Sequence, residues 1–127
     1  MAIRIEADEE QPSATVEIPL TKPLPDYDLE QIEQPTPRDV DGILVSQGFR
    51  DLIDDGRGVL TELLSKTDLQ ITQFTGAICP GDDEVYRPGV WIIVRDAKAP
   101  LKSKLSERSL ETVRTSVRHL VERLGLE

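Results

Sequence analysis

The sequence predicts an α+β domain: a small, mostly antiparallel sheet, a C-terminal amphipathic helix packed on one of its faces, and helical segments ahead of the central strands. Three observations carry this expectation. Val90-Trp91-Ile92-Ile93-Val94 is apolar on both faces of a pleat, as a central strand covered on both sides requires and an exposed edge does not tolerate. Leu69 to Ile78 mixes β-branched, aromatic and small polar residues in strand-like alternation. Leu110, Val113, Val117, Leu120, Val121 and Leu124 recur at three- and four-residue steps and share one helical face.

Taken in order, Met1 to Ala7 alternates through Ile3, Ile5 and Ala7, and Ala14 to Leu20 alternates through Val16 and Ile18. The polar turn Asp8 to Ser13 between them predicts a hairpin, with Pro19 tolerated only at an edge or a strand end. Six of the nine prolines fall in the first 37 residues, and Thr21 to Pro35 has neither a helical nor a strand period. That segment reads as an extended, mobile arm whose Leu24, Tyr27, Leu29 and Ile32 are apolar anchors in an acidic background, a composition that orders on a partner or on its own domain. The division expected is therefore residues 1–35 as an acidic, proline-rich region and residues 36–127 as a single α+β domain.

Thr36-Pro37-Arg38-Asp39 spells a helix start, with Thr as N-cap and Pro at the first helical position. Ile43-Leu44-Val45 reads equally as helix or short strand. Phe49, Leu52 and Ile53 form one helical face and Leu60, Leu63 and Leu64 another, and Asp54-Asp55-Gly56-Arg57-Gly58 is read as separating two helices, because glycine weakens a helix interior. A single helix with a weakened middle is the competing reading, since it keeps these residues near one stripe.

The alternation of Leu69 to Ile78 slips a phase: Leu69 and Ile71 share one face, Phe74, Gly76 and Ile78 the other. A bulge near Gln73, or a break there, resolves the conflict. Cys79 to Gly89 opens and closes on Pro-Gly turn signals, is too long for a tight hairpin, and holds no helix long enough for a parallel crossover, so the flanking strands should pair antiparallel. The last helix should run from Glu107 to Leu124, with Ser106 as N-cap, Leu105 and Leu110 as a hydrophobic staple, and Gly125 as terminator. Glu111, Arg114, Arg118, His119 and Glu122 lie on its solvent side.

Composition narrows the function. With 38% hydrophobic residues, two Phe, two Tyr and one Trp, the core must be mainly aliphatic. No stretch approaches the roughly 20 apolar residues of a membrane span, and no basic region followed by an apolar run opens the chain, so a cytoplasmic protein with no membrane role is expected. One cysteine forms no internal disulfide, and one histidine builds no cysteine and histidine zinc site within one copy. The net charge of −9 is uneven: residues 1–42 hold 11 acidic and 3 basic residues, residues 95–123 hold 4 acidic and 8 basic ones. These blocks should attract one another, within one chain or between two copies.

Candidate chemistry is sparse. Cys79, before Pro80 at a strand end, has the placement of a reactive thiol, but His119 faces away from it and no base is at hand; a half-buried structural thiol is the plainer reading. Asp82-Asp83-Glu84 supplies oxygen ligands of the type hard cations prefer, yet adjacent side chains diverge and the spacing is not that of a calcium loop, which favours a solvated turn. Arg95, Lys98, Lys102, Lys104 and Arg108 gather positive charge without aromatic residues for base stacking, and the overall acidity disfavours nucleic acid. Catalytic triads, paired-histidine metal motifs, phosphate loops and dinucleotide fingerprints all lack their residues. The expectation is a non-catalytic accessory or adaptor protein with no cofactor or metal. It would act through contacts with a protein partner or with itself as a homo-oligomer, through Leu24, Tyr27, Leu29, Ile32 and the basic residues 95–108. The alternatives are a small enzyme using Cys79 or a metal at Asp82-Asp83-Glu84, and an acidic mimic of nucleic acid.

Overall fold

A computed structural model of the chain describes residues 3–20, 47–80 and 86–125. Strands β1 (Arg4–Ala7) and β2 (Ser13–Pro19) are followed by helix α1 (Gln47–Leu63), the hairpin of β3 (Leu69–Pro80) and β4 (Tyr86–Asp96), and helix α2 (Glu107–Leu124). The four strands form one sheet in the order β1-β2-β4-β3, antiparallel throughout. This is the α+β architecture that the apolar periodicities predict. The anticipated helix start at Thr36, the ambiguous Ile43-Leu44-Val45 and the arm Thr21 to Pro35 lie outside the described residues.

The opening hairpin closes on Asp8, whose carboxylate accepts from the backbone N–H of Glu10 at 2.8 Å and of Gln11 at 3.0 Å, the local bonding that suits Asp to turns. Pro19 ends β2 opposite Gly89. Because β2 pairs with β4 along its length, the acidic beginning of the chain is part of the same sheet as the most apolar strand.

The phase slip in β3 is a bulge. Ile71 pairs with Val94 and Gln73 with Ile93, so Thr72 is the extra residue, and Leu69, Ile71 and Phe74 all reach the core side. The hairpin is longer than its turn signals suggest, since pairing continues through Cys79 opposite Arg87 to Pro80 opposite Tyr86. Most of the expected loop from Cys79 to Gly89 is therefore strand, because backbone pairing overrides the weak strand preference of Pro and Gly where neighbours hold the register.

The expectation of two helices is corrected: α1 runs unbroken through Asp54-Asp55-Gly56-Arg57-Gly58. Gly56 is buried, and a Cβ there would stand 2.8 Å from Phe74 Cζ and 3.2 Å from Leu124 Cδ1. The glycine thus allows close approach of helix to sheet and to α2, and that packing outweighs its helix cost of about 1 kcal/mol. Next to it, the Arg57 guanidinium donates to the Phe74 carbonyl at 2.8 Å, giving the outermost strand a side-chain partner.

Helix α2 matches its expected limits. Ser106 Oγ accepts from the Ser109 N–H at 3.1 Å, and Gly125 closes the helix at φ 63°, a conformation that favours glycine. Leu105 and Leu110 are both buried, as a staple requires.

Both helices lie on one side of the sheet. Ala14, Val16 and Ile18 of β2, Val90, Ile92 and Val94 of β4, and Phe74 of β3 meet Phe49 and Leu60 of α1 and Leu110, Val113, Val117 and Leu120 of α2. Among the described residues, the expectation that β4 is covered on both sides is met on this side alone. Trp91 and Ile93, turned the other way by the pleat, are half-buried, and neither described helix reaches them.

Candidate interaction face

The side of the sheet away from the helices can be laid out from its register. One cross-strand row runs Arg4, Glu17, Trp91, Thr75; the next runs Glu6, Thr15, Ile93, Gln73; a third joins Ser13, Arg95 and Gln70. Arg4 and Glu6 are exposed, while Glu17, Thr15, Trp91, Ile93, Thr75, Gln73 and Arg95 are half-buried. The centre of this face is thus the two large apolar side chains of β4, its flanks are threonine and glutamine, and its β1 side carries one charge of each sign. A depression of about 240 Å³ opens on it between Arg4, Glu6, Thr15 and Glu17.

Cys79 sits at the end of this face, opposite Arg87. It is 1% exposed, and its sulfur occupies the space that a side chain at position 89 would need: a Cβ on Gly89 would lie 2.8 Å from Cys79 Sγ and 2.6 Å from the Ile18 carbonyl. Burial, reinforced by the negative charge of Glu17 and opposed by a hydrogen bond with the Ile18 backbone, pushes the thiol up to about 11 from its usual 9.0. Burial thus keeps this thiol neutral and out of solvent at ordinary pH. His119 is exposed on α2, 3.9 Å from the Glu122 carboxylate.

The basic residues singled out in the sequence are spread over β4, the turn after it, the connection to α2 and the first turn of α2. Arg95 belongs to the sheet face away from the described helices, beside Ser13. Lys98, in the turn after β4, is 3.1 Å from the Asp68 carboxylate. Lys102 and Lys104 are exposed on the connection to α2, and Arg108 is exposed in its first turn, on the helix side of the sheet. Where β2 begins, Ser13 pairs with Arg95 and the Asp96 N–H donates to the Pro12 carbonyl at 2.9 Å, backbone bonds that do not involve the acidic side chains. Leu24, Tyr27, Leu29 and Ile32, and the acidic loop Asp82-Asp83-Glu84, lie outside the described residues. Among those described, no three His, Cys, Asp or Glu side chains are grouped to hold a metal ion, and no helix is long and apolar enough to cross a membrane.

Sequence reasoning passed over Arg4, Glu6, Thr15, Glu17, Thr75 and Ile93 as site residues. The signal was present in the alternation of β1 and β2, whose polar members mark a face, and in the apolar odd positions of β4, which need something to cover them. A second concavity, about 350 Å³ between β1 and α2, has Ile3, Ile5, Val117 and Val121 as its floor and Arg114 and Arg118 at its rim; its apolar floor adjoins the core. The chain matches no protein-family model, no curated protein and no solved structure, so its functional reading rests on this geometry alone.

Proposed function

We propose that this is a small accessory or adaptor protein that works by docking another protein chain on the open face of its sheet, without chemistry of its own. The observation that carries the reading is the half-buried pair Trp91 and Ile93 at the middle of an interior strand, on the side away from both helices. An apolar centre with an aromatic residue, ringed by threonine, glutamine and a few charges, has the composition of a protein interface core and rim. The overall acidity argues against phosphate-bearing partners. A single buried thiol suits the cytoplasm, where cysteines stay reduced.

The enzyme alternative loses one support in the packed, neutral Cys79. The test compares three tagged forms of the full chain in cells. The Ile93→Glu variant, folded by circular dichroism, should lose the proteins that co-purify with the wild type, whereas Cys79→Ala should keep them. An unchanged set with Ile93→Glu, or a phenotype abolished by Cys79→Ala, would contradict the reading.

A further inference from the structure

The geometry points to a second copy of this chain as the occupant of the open face, in a twofold, sheet-on-sheet dimer. This inference rests on the reading of that face as a docking surface and names its partner. A twofold axis across the strands, passing between the Trp91 row and the Ile93 row, superimposes each row of one copy on the other row of its partner. Four pairings follow. Arg4 faces Glu6 of the partner subunit, Glu17 faces a threonine, Trp91 faces an isoleucine, and Thr75 faces a glutamine. Each charged side chain in these rows thus meets an opposite charge or a hydroxyl donor, and the two large apolar groups meet each other. Such self-complementarity is what an isologous interface needs. Sheets packed in this aligned fashion sit about 10 Å apart with a ~30° rotation, within reach of these side chains.

The size of the patch sets the strength. Four strands and the length of β4 from Gly89 to Arg95 give about 19 by 24 Å, or about 450 Å² of flat area a side. A standard interface buries about 800 Å² per partner. The dimer is therefore one that exchanges with monomer as concentration changes. Each copy carries −9, so the copies repel at long range. At about 0.15 M salt the Debye length is ~8 Å, which screens this repulsion more than contacts inside the interface.

The experiment is sedimentation equilibrium of the full chain at that salt over a wide concentration range, with Arg4→Glu, Glu6→Arg and the double exchange. The wild type should move from monomer to dimer. Each single exchange sets like charges against one another at both symmetric contacts and should weaken the dimer roughly tenfold or more. The double exchange restores opposite charges and should recover most of the affinity, which also shows that the substitutions leave the fold intact. Monomer at every concentration would overturn the inference while leaving the docking reading to its own Ile93→Glu test. A dimer insensitive to all three variants would overturn it too, since the copies would then meet through another surface.

Discussion

Gly56 and Gly58 stand two residues apart on one helix and answer to opposite constraints. Gly58 has nothing within 4 Å of its missing Cβ, so Gly58→Ala should stabilise the fold by about 0.5 to 1 kcal/mol, the ordinary helix gain. At Gly56 the new methyl meets the buried Phe74 ring, and overpacking of about 1 to 3 kcal/mol should exceed that gain. Urea denaturation of the two variants checks the contrast in sign. Cys79 makes a second residue-scale statement. The unfolded thiol ionises near 9.0 and the folded one near 11, so the folded state keeps a proton that the unfolded chain gives up between those values. The stability involved is fully present below pH 9 and is lost as pH rises towards 11, by up to about 2 to 3 kcal/mol. Unfolding of the wild type and Cys79→Ala at pH 8 and 10.5 should show the stability difference moving against the wild type; a constant difference would mean that the thiol ionises freely in the fold.

At the scale of elements, β4 carries two kinds of apolar residue on its two faces. Ile92 is 0% exposed, and Ile92→Ala should cost about 2 to 5 kcal/mol. Ile93 is half-buried, and in the monomer Ile93→Ala should cost less, about 1 kcal/mol, the middle of the range for point variants. Equal losses measured by denaturation at low concentration would show that the face is covered. The same strand shows how far sequence reaches. The limits of α2, the β3 bulge and the interior place of β4 were legible because a cap, a period and a phase slip are local signals. The unbroken α1 was not legible, because the reason for Gly56 lies across space in Phe74 and Leu124. The hairpin's true length was likewise hidden, since Cys79, Arg87 and Gly89 are held in strands by neighbours rather than by their own preferences. The candidate face was half legible: apolar residues on both sides of β4 demand a cover, and only the sheet order and the placement of both helices reveal which side lacks one among the described residues.

For the whole molecule, the asymmetry of its layers is the property that matters. Among the described residues, a four-stranded sheet with two helices on one side closes an aliphatic core and leaves Trp91 at the centre of the other side. Charge follows the same division, with Arg4, Glu6, Glu17 and Arg95 on the face away from the described helices and the solvent side of α2 bearing its own Glu111 and Arg114 pair at 3.3 Å. Because Trp91 is the only tryptophan in the chain, its fluorescence reports on that face alone. Acrylamide quenching of Trp91 across a dilution series is the most direct measurement of whether the face is open in the monomer and covered by a partner. Quenching should be strong in dilute protein and fall, with a blue shift in emission, as concentration rises. A Trp91 shielded to the same degree at every concentration would contradict an open docking face.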